Sequence, residues 1–273
     1  MTDTIDTSHQ DGAPLAGRSV VITRTREQAA SLAKPLEAFG AEVLAMPVLE
    51  VVDPPDPSAT DAALAEMQSY DWVVLTSTNA VDRFFARLEV VDRSRVALSH
   101  VKVAAVGRAT AAHLRAKGVE PDLVPDDARA EGLVAAFGEL GVGAGCRVLL
   151  PRAWKARELF PDALRAMGAE VDVVPVYQTV PVEPELSVIT RLREGSVDCV
   201  TFTSGAIARA FVEAVRSAAI DPDRLMERIA VASIGPITTH ALAVIGYEAD
   251  IEAEKQTMAS LAQAIADYYS ASS

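Results

Sequence analysis

The chain of 273 residues carries 25 basic and 38 acidic side chains, a formal net charge of -13, and so lacks the positive field that phosphate backbones require. Nucleic acid is excluded as a partner on that ground. Half of the residues are hydrophobic but only 5% are aromatic, so the cores must be built from Ala, Val, Leu and Ile, and the length suits two domains of helices packed on buried parallel strands.

In chain order, the segment from Met1 to Pro14 is polar and acidic, with no basic n-region or apolar h-region; residues 1–15 are read as a disordered tail, not a signal peptide. Val20 to Thr23 is a short β-branched run, a buried strand, and Ala29, Leu32, Leu36 and Phe39 follow at helical spacing up to a C-cap Gly40. Pro35 lies inside that helix and is expected to kink it. Pro47 to Pro57 is an extended run with alternating valines that ends in prolines, which confine strands to sheet edges or linkers. Trp72 to Thr76 is the next strand, and Val81, Phe84, Phe85 and Leu88 form one face of the helix after it. Val101 to Val106 is a strand, Gly107 a turn, Ala112 to Lys117 a helix ending at Gly118, and Leu133, Val134, Phe137 and Leu140 mark a further helix. The glycine-rich Gly141–Gly145 precedes a strand, whereas a phosphate cradle should precede a helix; it is read as a linker.

The rest of the chain repeats this pattern. Gly17-Arg18-Ser19-Val20-Val21-Ile22-Thr23-Arg24 aligns with Gly145-Cys146-Arg147-Val148-Leu149-Leu150-Pro151-Arg152, at a spacing of 128 residues. Ala41-Glu42-Val43 returns as Ala169-Glu170-Val171, and Pro47-Val48 as Pro175-Val176. Asp71 to Ser77 matches Asp198 to Ser204 at a spacing of 127; the register then returns to 128 with Val106-Gly107 and Ile234-Gly235, Thr110 and Thr238, Gly118 and Gly246. The chain contains a duplicated unit. Alternating strand and helix favours parallel sheets covered on both faces, an α/β fold. Two divisions into lobes fit the repeat equally well: a split near Gly143, or crossings at the two proline-bounded extended runs, with 1–46 and 176–273 forming one lobe and 47–175 the other.

Ligands of open parallel sheets gather at the carboxyl ends of the strands. Here those ends carry small polar residues in two matched sets: Thr23-Arg24-Thr25, Thr76-Ser77-Thr78-Asn79 and Gly107-Arg108-Ala109-Thr110, repeated as Pro151-Arg152, Thr203-Ser204-Gly205 and Gly235-Pro236-Ile237-Thr238. Such turns cap helices, and together they offer many amide donors for a polyanion, with Arg24, Arg108 and Arg152 as candidate cations. Tyr177 stands apart because its repeat mate is Leu49; a phenol at a broken repeat position can donate a proton to a leaving hydroxyl. Cys146 and Cys199 read as buried free thiols, and His9, His100, His113 and His240 have no metal-ligand spacing. No run reaches the roughly 18 apolar residues of a membrane span, so a cytoplasmic protein without a membrane partner is expected.

These residues carry a family resemblance over nearly the whole chain, from about Gly17 to Tyr269. Val-Ile-Thr-Arg at 21–24, Gly-Ala-Glu-Val at 40–43, Leu-Thr-Ser-Thr-Asn-Ala-Val at 75–81, Ala-Val-Gly-Arg-Ala-Thr-Ala at 105–111, Pro-Val-Tyr-Gln-Thr at 175–179, Phe-Thr-Ser at 202–204 and Ile-Gly-Pro-Ile-Thr at 234–238 resemble, in order and spacing, the uroporphyrinogen-III synthase family. The resemblance implies two flavodoxin-like lobes with parallel sheets joined by a two-stranded β linker, which favours the discontinuous division. It implies a cofactor-free lyase acting as a monomer on hydroxymethylbilane, a linear tetrapyrrole bearing eight carboxylates. Loss of hydroxide from the first ring gives an azafulvene, which the substituted carbon of the last ring attacks to form a spiro intermediate that recloses with that ring inverted. Tyr177 would match the tyrosine that assists hydroxide departure. Ser77, Thr110, Ser204 and Thr238 would match residues lining the cleft, with Arg24, Thr76, Thr78, Asn79, Gly107, Arg108, Arg152, Thr203, Gly205 and Gly235 as further substrate-binding candidates. Gly205-Ala206-Ile207-Ala208 and Ile237 are less polar than the family pattern. A two-lobed binding protein without chemistry, or a regulatory family member without turnover, would show the same turns; turnover of hydroxymethylbilane separates them.

Overall fold

The computed structural model describes residues 12–91, 98–156 and 158–271. Its elements are β1 (Ser19–Ile22), α1 (Arg26–Ala38), β2 (Glu42–Ala45), β3 (Leu49–Val52), α2 (Ser58–Ala65), β4 (Trp72–Leu75), α3 (Thr78–Val90), β5 (Lys102–Ala105), α4 (Arg108–Ala116), α5 (Ala130–Glu139), β6 (Arg147–Ala153), α6 (Leu159–Ala166), β7 (Glu170–Pro181), α7 (Leu186–Glu194), β8 (Cys199–Phe202), α8 (Gly205–Ser217), α9 (Pro222–Met226), β9 (Ala230–Ser233), α10 (Pro236–Val244), β10 (Ile251–Glu252) and α11 (Met258–Ala271). Most of the tail lies outside the described residues, but Leu15, counted with it above, is fully buried and donates its amide to the Phe39 carbonyl at 2.8 Å. Its isobutyl group belongs to the apolar cluster of Leu32 and Leu36, which outweighs the polarity of its neighbours.

The chain forms two compact units. The first comprises Met1–Glu50 with Val180–Ser273, and the second Val51–Thr179. The passage out falls within β3 and the passage back within β7. Gly141–Gly145 is therefore no boundary. It is a turn inside the second unit between α5 and β6, closed by the Cys146 amide on the Gly143 carbonyl at 3.0 Å.

The first unit holds a five-stranded sheet in the order β10-β9-β8-β1-β2, with every pairing parallel. In β1, Val20 and Ile22 point to the face covered by α1 and α11, where they meet Leu32, Leu36, Leu261 and Ile265. Val21 points to the opposite face, against Val188, Leu192, Phe211 and Val215 of α7 and α8. Burial on both sides explains why β1, β8 and β9 read as unbroken apolar runs. α1 runs unbroken through Pro35 and ends with Gly40 at φ 88°, whose amide reaches the Glu37 carbonyl at 2.9 Å.

The second unit holds a sheet in the order β3-β7-β6-β4-β5. Val73 and Leu75 of β4 face α2, α3 and α4, whereas Trp72 and Val74 face α5 and α6. The duplication is visible in its hydrogen bonds. The Asp71 carboxylate accepts from the Arg147 amide at 2.8 Å, as Asp198 does from Ser19 at 2.8 Å. Asp122 accepts from the Val103 amide at 2.7 Å, and Asp250 from Val231 at 2.8 Å.

The copies of the repeat do not coincide with the units. The first copy supplies β1 and β2 to one unit and β4 and β5 to the other; the second supplies β6 and β7, then β8 to β10. Each unit thus joins half of one copy to half of the other.

Candidate functional site

In the second unit, β4 and β6 are neighbours from which the chain departs in opposite directions, toward β5 and toward β7. At such a switch point the following helices lie on opposite faces and leave a crevice at the carboxyl edge. Thr76 stands half-buried at the end of β4, and Ser77 caps α3, its hydroxyl accepting the Ala80 amide at 3.1 Å. Thr78 and Asn79 form the first turn of that helix. Gly107 caps α4 where a Cβ would come within 3.0 Å of the Ala128 methyl, Arg108 is exposed, and Thr110 is buried. Arg152 is a buried cation on β6, paired with Glu158.

Tyr177 lies on β7 among the residues of this edge. Its ring packs in the core cluster with Leu75 and Phe85, and its hydroxyl sits 3.3 Å from Ser77 Oγ. That is long for a bond between hydroxyls, so a ligand oxygen can replace it at little cost. The Trp154 amide donates to the Tyr177 carbonyl at 2.7 Å and ties down the backbone beside the ring.

The first unit presents the same construction at the switch between β1 and β8. Thr203 is half-buried, and Ser204 caps α8 by accepting the Ile207 amide at 3.3 Å. Gly205 has a packing reason: a Cβ there would stand 2.4 Å from the Ala241 Cβ of α10. Gly235 caps α10 at φ 155°, and Thr238 is buried in its first turn. Arg24 follows β1, with Nη2 donating to Gln28 at 3.0 Å and Nη1 against the Met258 sulfur. Burial lowers the pKa of its guanidinium. The structure therefore brings Thr76, Ser77, Thr78, Asn79, Gly107, Arg108, Thr110, Arg152 and Tyr177 to the carboxyl edge of the second unit. It brings Arg24, Thr203, Ser204, Gly205, Gly235 and Thr238 to that of the first.

Sequence reading missed a cavity of about 520 Å³ beside the β4–β6 switch. Its walls are Val106, Leu133, Leu150, Leu159 and Phe160, with Thr76 and Arg152 on the sheet side and Arg129 and Glu131 at the start of α5. Arg129 is held by Asp127 at 2.8 Å, a bond that raises the pKa of the guanidinium. Ala128, Ala130 and Ala156 complete its lining with the small side chains of alanine. Among the described residues no helix is long and apolar enough to cross a membrane, and no three His, Cys, Asp or Glu side chains gather as metal ligands.

Taken in spatial order, the first sheet runs as the second, first, third, fourth and fifth strands of its unit, the flavodoxin-like arrangement, and the second unit repeats the core of that order from β7 to β5. The class is therefore a duplicated, doubly wound α/β protein with helix-start turns at the carboxyl edge of each sheet. The family model described as uroporphyrinogen-III synthase HemD matches residues 30–263. The uroporphyrinogen-III synthase of Synechococcus elongatus is 33% identical over 255 residues, covering 92% of this chain and 96% of that one. The putative uroporphyrinogen-III synthase of Methanothermobacter thermautotrophicus is 32% identical over 251 residues, 90% of this chain and 97% of that one. Among solved structures, a mutant uroporphyrinogen III synthase of Thermus thermophilus superposes with a TM-score of 0.65 at 20% identity, covering 94% of this chain and all of that one. The chain belongs to the uroporphyrinogen-III synthase family, cyclising lyases of tetrapyrrole biosynthesis.

Proposed function

We propose that the chain converts hydroxymethylbilane to uroporphyrinogen III, with inversion of the last ring and loss of water, and that the Tyr177–Ser77 hydroxyl pair serves the departure of the hydroxyl group. The observation that carries this reading is the position of that pair: a phenol whose repeat mate is Leu49, 3.3 Å from a helix-cap serine. Ser77 Oγ accepts the Ala80 amide, and either hydroxyl of the pair can donate to the other. With Ser77 as the donor, the phenol O–H is left for the hydroxymethyl oxygen of the substrate. Proton delivery as the C–O bond breaks turns hydroxide into water and leaves the azafulvene electrophile.

The first-turn amides of α3 and α4 in the second unit suit the carboxylates of the substrate, and α8 and α10 of the first unit offer donors of the same kind. Thr76, Thr78, Asn79, Gly107, Thr203, Gly205 and Gly235 flank these turns, while Arg24, Arg108 and Arg152 supply positive charge. Thr110 and Thr238 are buried in the first turns of α4 and α10. Because the free substrate can close without inversion, the greater part of catalysis is orientation of the two end rings. The test is turnover: purified protein given freshly generated hydroxymethylbilane should yield the type III isomer above the type I background. Binding accompanied by type I product alone would remove the assignment.

A further inference from the structure

Comparison of repeat mates around the cavity of the second unit shows an asymmetry. Four of its apolar walls are matched in kind, Leu133 by Leu261, Leu150 by Ile22, Phe160 by Leu32 and Val106 by Ile234, whereas Leu159 has Ser31 as its mate. The three alanines that line it are not matched either. At a spacing of 128, Ala130 corresponds to Met258, Ala128 to Gln256 and Ala156 to Gln28. Met258 and Gln28 both contact Arg24, the mate of Arg152, and the Gln256 Cγ lies 2.9 Å from where a Cβ of Gly235 would be. Where the second unit carries three methyl groups, the first carries a methionine and two glutamines.

The pocket is open to solvent along Ala128, Arg129, Glu131, Ala156 and Leu159, while Leu133, Leu150 and Phe160 form a buried apolar floor, so a ligand can enter it and cover apolar surface. Three small residues and an added apolar wall at one of the two repeated sites point to an occupant. From this, and resting on the synthase reading above, we infer that the cavity of the second unit receives one pyrrole ring of the substrate, while the matched place in the first unit receives none. The chemistry suits such a ring. Leu133, Leu150, Leu159 and Phe160 cover its apolar faces, and Arg129 and Arg152 lie where its acetate and propionate arms emerge. A volume of about 520 Å³ accommodates a single substituted ring but not a tetrapyrrole. Anchoring one ring on one unit gives the flexible chain a fixed end, so that only the remaining rings need to be brought into the ring-closing geometry.

The test writes the residues of the first unit into the second. Ala130→Met and Ala156→Gln, alone and together, should raise KM for hydroxymethylbilane about tenfold or more while kcat changes less than about threefold, the signature of lost ground-state binding. Met258→Ala, which opens the first unit, should leave KM within about twofold. An unchanged KM in the double variant, or an equal rise in Met258→Ala, would overturn the inference. A second measurement is independent of turnover and of variant folding. The unaltered protein is titrated with porphobilinogen, a single pyrrole bearing one acetate and one propionate, and followed by amide chemical shifts. Saturable shifts at residues 128–133 and 158–161 that are absent at 256–261 support the one-sided pocket; shifts at neither place, or equally at both, refute it. Should the unaltered protein fail to turn over hydroxymethylbilane, the synthase reading falls, and the pocket is judged by the titration alone.

Discussion

Replacing Tyr177 by Phe removes one oxygen and leaves the ring in place, so its consequences for structure and for chemistry can be separated. Structurally, the hydroxyl makes a single 3.3 Å contact with Ser77, whose Oγ keeps the Ala80 amide as a partner. Ser77 is half-buried, and water can take the place of the phenol. The loss is therefore at the low end for a hydrogen bond, about 0.5 kcal/mol, and Tm should move by no more than about 2 °C. Chemically, a positioned general acid contributes about 10²–10⁴ in rate. Hydroxymethylbilane ionises unaided, which puts the phenol at the lower limit. We expect kcat to fall about 100-fold, close to 2.7 kcal/mol, with KM within about twofold because binding rests on amides elsewhere. The assay generates hydroxymethylbilane in situ, oxidises the products and resolves the type I and type III isomers by chromatography. A variant with unaltered Tm and kcat within about twofold of the parent would take Tyr177 out of the mechanism.

Gly205→Ala should overpack the α8–α10 contact, because the new Cβ would lie 2.4 Å from that of Ala241; a loss of about 1–3 kcal/mol would appear as a fall of several degrees in the calorimetric Tm. The Glu42 carboxyl is held down to about 2, first by its hydrogen bond from Arg191 and then by that from Ser19. A depressed carboxyl stabilises the fold above its unfolded pKa and loses that contribution as pH falls toward 2. Solvent screening limits this half-exposed pair to about 1 kcal/mol or less. The Tm gap between the parent and Glu42→Gln should be constant above about pH 5 and close in more acidic buffer, and a gap that widens on acidification would contradict the assignment. Cys199 is fully buried, which pushes its thiol far above the usual range, whereas Cys146 is half-buried. A chromogenic thiol reagent at pH 8 should modify Cys146 first and reach Cys199 only at the rate of unfolding.

Much of the fold was legible because its signals are local. The apolar runs at 20–23, 72–76 and 101–106 became β1, β4 and β5, and Val81, Phe84, Phe85 and Leu88 became the buried face of α3. The carboxyl-edge turns were legible for the same reason: Ser77 and Ser204 are caps, and caps announce themselves by residue type. Leu15 was misread because a residue among polar neighbours gives no sign that a distant helix will cover it. Gly141–Gly145 was misread as a linker because a tight turn and a flexible joint share a composition. The alanine cavity was overlooked since alanine carries no chemistry and signals space only by what stands around it. Its signal in the sequence is the contrast of Ala128, Ala130 and Ala156 with their repeat mates Gln256, Met258 and Gln28, as Tyr177 contrasts with Leu49.

The amino-acid sequence by itself determined the strands and helices, the duplication and the small polar turns, since each depends on residues within a few positions or on a fixed register. It left undecided which halves belong together. β1 and β2 have two nearly equivalent candidate partners, β4 with β5 in their own copy and β8 with β9 in the other, and pairing with either buries the same kinds of side chain. The tertiary structure chose the second through the connecting strands. β7 has 12 residues, three times the length of β4, and at about 3.3 Å per residue spans roughly 40 Å. Instead of turning back over its own sheet, the chain is carried on to β8, which lies beside β1.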